Sequence, residues 1–391
     1  MSTSAVAPRT RALGALFAAV VLVGACSGAA SAPTSAGSSA AAAPSAAAPA
    51  ASAAAPASTA PSAAPSAAAS AQAQAATCTQ PMKKVTVQLS WLVSGENAGE
   101  QEAIDQGYFA QECLDVTLVP GGPNTNDISQ VASGAADIGI TSSSPALMLA
   151  VSQGIPVQAF ASGLQKHPFA FFSLPKAPVR VPADLEGKTL GIQQSSQPLI
   201  DALVAQNHLD KSKIKIQYVG GTTQGLMTGQ VQVITAWTID KAQLSVLPSN
   251  VVTMSLWDTG VKLYALVYFA STKTIQNDPG MLEAFTRALA KGWQYAMAHP
   301  QEAAAAVAKT ASGLNAANEA ETVQAMQPFM YTSATQSNGW GTMDPAIWQQ
   351  QINQYNSLGQ FKSGIVPTVN EVMTTSILDA TTAARVAAAA P

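Results

Sequence analysis

LDVTLVPGGPNTNDISQVASGAADIGITSSSPALMLAVSQGIPVQAFAS, residues 114–162, alternates two kinds of text. LDVTLVP (114–120), ADIGIT (136–141) and IPVQAFAS (155–162) have the β-branched content and short length of strands. Between them, 123–133 and SPALMLAVSQG (144–154) read as helices opened by Pro, Asn and Ser. Strand and helix in alternation, joined by Gly/Pro/Asn turns, predict an α/β fold.

The alternation extends in both directions. Upstream, VTVQLSW (85–91) predicts a strand, and GEQEAIDQGYFAQE (99–112) a helix that packs through Ala103, Ile104 and Phe109. A break at 175–182 precedes a second series. It runs through KTLGIQ (188–193), a helix over 198–209, KIKIQYVG (213–220), a short helix over 222–229 and QVQVITAW (230–237). VVTMSL (251–256) and YALVYFAS (264–271) follow as strands. Helices then take over, at 279–311 with a break at His299-Pro300, and near 318–329, 344–358 and 368–379. Two such series predict two lobes, one made of 78–181 with 263–380 and the other of 182–262. The chain crosses between them twice, beneath a cleft of the kind that favours ligands. TTAARVAAAAP at the end reads as a frayed helix or loose tail, covering 381–391.

The other end of the chain carries a different message. Arg9 and Arg11 precede the apolar run Ala12–Val23, which is too short to span a bilayer, and Gly24-Ala25 lead into Cys26. This resembles the lipobox of bacterial lipoproteins. The resemblance implies a signal peptide over 1–25, lipidation at Cys26 and attachment to the outer side of a membrane through lipid alone. From Cys26 to 77 the chain is almost wholly Ala, Ser, Pro, Gly and Thr, with nothing to bury, and reads as a disordered tether. In such an extracytoplasmic compartment the two remaining cysteines, Cys78 and Cys113, are expected to pair.

Composition removes several function classes. A thinly spread net charge of −3 argues against nucleic acid, which needs a basic stripe. His167, His208 and His299 are scattered, and no metal-ligand spacing surrounds the cysteines, so neither a metal nor a cofactor is expected. No nucleophile–base pair, GxSxG or paired-carboxylate motif is visible.

Seven pieces then occur in a telling order behind the lipobox: GYFAQECLDV (107–116), PGG (120–122), ASGAADIGI (132–140), ALMLAVSQGIPV (146–157), VPADLEGKTLGIQ (181–193), GQVQVITAW (229–237) and AFTRALAKGWQYAMAHPQEAA (284–304). Together they resemble the extracytoplasmic solute-binding proteins of ABC importers, within them the NMT1/THI5-like group. That group includes binders of thiamine pyrimidine precursors, riboflavin, sulfonates such as taurine, and nitrate. The resemblance implies a two-lobed periplasmic-binding-protein fold of type II with two crossing hinge segments, closing on one small-molecule solute. A monomer that delivers it to an ABC permease is expected, and not an enzyme. Relatives that synthesise the thiamine pyrimidine use a histidine and a cysteine-rich motif; this chain has no cysteine cluster.

Candidate solute contacts sit where strands give way to helices. Trp91 can stack on a flat ring. Asn97 matches a position that often contacts ligand in the group, although the chain reads Asn97-Ala98-Gly99 where His-Thr-Gly is common. Thr141, Ser142, Ser143 and Ser144 surround the start of one helix, and Ser195 and Ser196 that of another in the opposite lobe; either set could also simply cap its helix. Trp237 and Asp240 end a strand that supplies cleft residues in relatives, and Tyr264 lies near the return crossing. No arginine occurs in 182–262, and beyond residue 78 only Arg180, Arg287 and Arg385 remain. A neutral aromatic heterocycle, such as a thiamine pyrimidine precursor or riboflavin, is therefore expected ahead of a sulfonate or nitrate-type anion.

Overall fold

The computed structural model describes Cys78 and residues 81–389. Cys26, the signal peptide over 1–25 and the tether over 26–77 lie outside the described residues.

Among the described residues, ten strands form two sheets. They are β1 (Lys83–Leu89), β2 (Leu114–Val119), β3 (Ile138–Ser143), β4 (Val157–Leu164), β5 (Phe169–Ser173), β6 (Thr189–Ile192), β7 (Lys215–Tyr218), β8 (Val233–Trp237), β9 (Val252–Ser255) and β10 (Ala265–Ser271). The first sheet has the order β2-β1-β3-β10-β4 and the second β7-β6-β8-β5-β9. In each, four strands run in one direction and the fourth in order is antiparallel to both its neighbours. That antiparallel strand is the one the chain lays down just after crossing from the other sheet: β5 on the way out, β10 on the way back.

β5 corrects the lobe boundary drawn at 181/182. FAFFS pairs within the second sheet, so the first crossing lies at 165–168. The run is short, between Pro168 and Pro175, and apolar up to its last residue, Ser173. It lacks the polar alternation of a one-sided strand because both its faces are covered. Phe169 and Phe171 join the main core, while Ala170 and Phe172 point to a smaller cluster on the far face.

The first sheet is wrapped by long helices. The helix Ala98–Asp105 packs on the helix Pro279–Ala298 at very short range. A Cβ at Gly292 would stand 2.2 Å from the Gly99 carbonyl oxygen, and one at Gly99 would enter the Trp293 ring. Only hydrogen is tolerated at either position. Beneath them Tyr268 donates to Glu100 and accepts from Trp293 Nε1 at 3.3 Å, all three side chains being buried. A disulfide joins Cys78 to Cys113, Cα atoms 5.6 Å apart, just ahead of β1 and β2.

The C-terminal segment is not a loose tail. Thr382–Ala387 is helical, and buried Arg385 donates to the carbonyls of Trp340 (2.8 Å) and Leu378. Arginine supplies several donors at once, which docks an otherwise weak alanine-rich stretch.

Candidate functional site

A cavity of about 240 Å³ opens where the parallel strands of both sheets end. From the first sheet come Ser90 and Trp91 beyond β1, and Thr141, Ser142 and Ser143 at the end of β3. From the second come Gln193, Ser195 and Ser196 beyond β6, Thr235 to Trp237 at the end of β8, and Asp240. His167 and Phe169 enter from the outgoing crossing. Strand ends of α/β sheets leave backbone and side chains free to converge, and the topology brings both sets to one place.

The Trp91 indole reaches across, since a Cβ on Gly221 would lie 3.5 Å from its ring and 3.3 Å from Gln193 Nε2. Gln243, another lining residue, donates to the Gly221 carbonyl at 2.8 Å. Its backbone N–H is capped by Asp240 at 2.9 Å, so Asp240 both starts the short helix Lys241–Leu244 and faces the cavity. Ser90 and Ser142 share a hydrogen bond of 3.0 Å. The ammonium groups of Lys166 and Lys262, one from each crossing, sit 6.0 and 5.7 Å from the Trp257 ring.

The electrostatics are one-sided. Glu96 lines the cavity with its carboxyl pushed up to about 8, first by burial and then by Asp240 and Glu319 nearby. Burial also raises Asp240 and Glu319. Asp127 is raised to about 6 by burial, against a lowering hydrogen bond from Thr141. Burial holds His167 at about 3, hence neutral. The lining contains no Lys or Arg among the described residues.

Trp91, Ser143, Ser195, Ser196, Trp237 and Asp240 are thus brought to one cavity. Asn97, Ser144 and Tyr264 stand outside its lining. Asn97 is buried and accepts from the Ser94 N–H at 3.4 Å, closing a turn. The Ser144 hydroxyl accepts from the Tyr264 N–H at 3.2 Å, tying β10 to the adjoining helix start. Tyr264 is buried against Trp348, and its hydroxyl accepts from the Asp344 N–H at 2.9 Å. All three have their polar atoms engaged in holding backbone.

Sequence reading does not select Glu96, Asp127 or His167. Glu96 lies in the Ser94–Asn97 stretch, and Asp127 sits in the first turn of the helix Asp127–Ala132, where an acid is ordinary. His167 becomes visible only once FAFFS is recognised as a strand, which turns KHP into a crossing segment.

Comparison with known proteins agrees with this architecture. The family model described as NMT1/THI5 like matches residues 96–303. The chain belongs to the NMT1/THI5-like family. It is 26% identical over 287 residues to the formylaminopyrimidine-binding protein of Halalkalibacterium halodurans, covering 71% of this chain and 86% of that protein. It is 27% identical over 279 residues to the riboflavin-binding protein RibY of Chloroflexus aurantiacus, covering 68% and 78%. In fold it is similar to the periplasmic aliphatic sulphonate binding protein SsuA of Escherichia coli, with a TM-score of 0.59 at 14% identity over 74% of this chain and 91% of that one. This NMT1/THI5-like protein therefore has the general periplasmic-binding-protein fold and is an extracytoplasmic, non-catalytic solute carrier of ABC-type import.

Proposed function

We propose that this protein captures a small neutral nitrogen heterocycle of the thiamine-pyrimidine kind and delivers it to an ABC permease. The observation that carries the reading is the lining itself: two tryptophans, a set of hydroxyl and amide groups, three carboxyls and no cationic side chain. Indole faces take a flat ring, and carboxyl oxygens accept from its amino and ring N–H groups. A sulfonate or nitrate would meet Asp127 and Asp240 with no guanidinium to offset them, which disfavours the anion reading.

Size supports one ring over three. Sites for drug-sized ligands enclose about 300–1,000 Å³, and this cavity holds about 240 Å³. A formylaminopyrimidine suits that space better than riboflavin. Trp91 and Trp237 would stack on the ring, with Ser143, Ser195 and Asp240 as polar contacts. The carrier works as a monomer held to the membrane through lipid on Cys26.

Isothermal titration with formylaminopyrimidine, riboflavin and taurine tests the reading. The pyrimidine should bind most tightly and taurine should give no heat. Asp240→Asn separates the classes further, because it weakens a solute that donates to the carboxylate and leaves an anion unchanged or tighter. Preferred binding of taurine would overturn the proposal.

A further inference from the structure

Among the described residues, several buried side-chain atoms have no hydrogen-bond partner, and two of them belong to residues that line the cavity: His167 Nε2 and Asp127 Oδ2. Buried polar atoms are nearly always paired, so an unpaired one on a cavity-lining side chain marks where a ligand atom belongs. His167 is 1% exposed and Asp127 9% exposed.

The imidazole of His167 is fixed in both orientation and tautomer. Its Nδ1 accepts the backbone N–H of Phe169 at 3.2 Å, so in the neutral ring the proton resides on Nε2. Trp237 meets the imidazole edge-on at 5.2 Å, and Phe169 does so at 6.1 Å. Burial keeps the ring neutral through the physiological range. Nε2–H is therefore a positioned donor, already stripped of water and waiting for an acceptor. Asp127 offers the complement: a carboxylate positioned beside Thr141, with Oδ2 free to accept.

We propose that His167 is the specificity-determining donor of this site, giving its Nε2–H to a ring nitrogen or carbonyl oxygen of the solute while Asp127 Oδ2 takes an N–H of the same molecule. The proposal rests on the heterocycle reading above. It deepens that reading by requiring a solute that carries acceptor and donor together, as an aminopyrimidine does. A purely hydrocarbon ring would leave both buried atoms unpaired, and one with donors alone would leave His167 Nε2–H unpaired; each would be rejected on that account.

Two measurements on the folded protein test it. The first is titration of formylaminopyrimidine and riboflavin into the parent, His167→Phe, His167→Gln and Asp127→Asn. Phenylalanine keeps the ring shape and its contact with Trp237 but removes the donor, and should weaken the better heterocycle by about tenfold or more. Glutamine restores an N–H near the Nε2 position and should recover most of the loss. Asp127→Asn should weaken the same probe several-fold. The second is long-range ¹H–¹⁵N correlation of the imidazoles in ligand-free protein, with the His167 signal identified by its loss in His167→Phe. The Nε2–H tautomer is expected, and its resonance should shift on adding the probe. A parent that takes taurine or nothing would overturn the heterocycle reading and this inference together. A parent that binds a heterocycle while His167→Phe binds it equally well would overturn the inference alone, as would an Nδ1–H tautomer.

Discussion

The two sheets follow one strand plan but are built to different thickness. In the first, β10 is an inner strand buried along nearly its whole length, with the helices Ala98–Asp105, Pro279–Ala298, Pro300–Thr310 and Ala316–Met330 stacked against this half of the molecule. In the second, β6, β7 and β9 have four residues each, β7 is largely open, and the far face is closed only by a small cluster around Phe172, Leu226 and Ile234. The first sheet is the scaffold, with most of the buried apolar area. The second is a thin jaw whose near face leans on the same core. Both supply the cleft in similar measure, so binding and stability are distributed differently over the molecule.

Glycine substitutions give the sharpest test of that contrast. At Gly292 an added Cβ meets the Gly99 backbone oxygen at 2.2 Å, so two helices must move apart; Gly292→Ala should destabilise by about 3 kcal/mol or more. At Gly191, in β6, the nearest atom is the end of the Ile234 side chain at 2.9 Å, which can rotate away within the small cluster. Gly191→Ala should lose no more than about 1 kcal/mol. Urea denaturation of the two variants decides, and equal losses would break the distinction between scaffold and jaw.

The Cys78–Cys113 disulfide belongs wholly to the scaffold, its ends 35 positions apart in sequence. Replacing both by serine should remove about 2–4 kcal/mol, mostly through the unfolded state. Hydrogen exchange should then quicken in β1 and β2 before it does in β6 and β8. Uniform quickening would mean that the halves open as one unit.

In the cleft, Trp91 and Trp237 compare the same side chain on scaffold and jaw. Trp91→Ala should weaken the bound heterocycle by roughly 2 kcal/mol. Trp237→Ala should act on two counts, because it removes a ring wall and also frees the imidazole of His167. Its expected loss is of the same order in titration, and it should also broaden the His167 imidazole signal. A Trp237 variant that binds as the parent does would remove that residue from the site.

Much of this was legible in the sequence. The strand–helix alternation, the long helix broken at Pro300 and the strand ends carrying Trp91, Ser195 and Trp237 all follow from local pattern, because each depends on neighbours a few residues away. β5 was not legible, since its partners β8 and β9 lie far along the chain and only their coverage explains an unbroken apolar run. Nor was the division of serines. Ser143 and Ser144 are adjacent, yet one faces the cavity and the other is spent on Tyr264, a choice made by the return of β10. His167 and Asp127 acquire meaning only through what does not touch them, and absence of a partner is a three-dimensional fact.

The smallest expected effect is electrostatic and separates the cavity carboxyl Glu96 from its core counterpart Glu100. Both are raised above their ordinary value, Glu96 to about 8 and Glu100 to about 7, chiefly by burial. In the unfolded chain they lose their protons near pH 4.3, so between that point and their folded values the native state holds more protons. Stability must then fall as pH rises through this window. His167 works in the opposite sense, because its folded value of about 3 lies below the ordinary one, but its effect is nearly complete by about pH 7.5. From about pH 7.5 to 8.5 the carboxyls dominate, and the ligand-free protein should lose melting temperature steadily. Glu96→Gln should flatten the upper part of that slope, and a heterocycle that donates to the Glu96 carboxylate should flatten it in the parent. A melting temperature that rises over this range would show that Glu96 and Glu100 are ionised with adequate partners, and that the cleft is wetter than its lining implies.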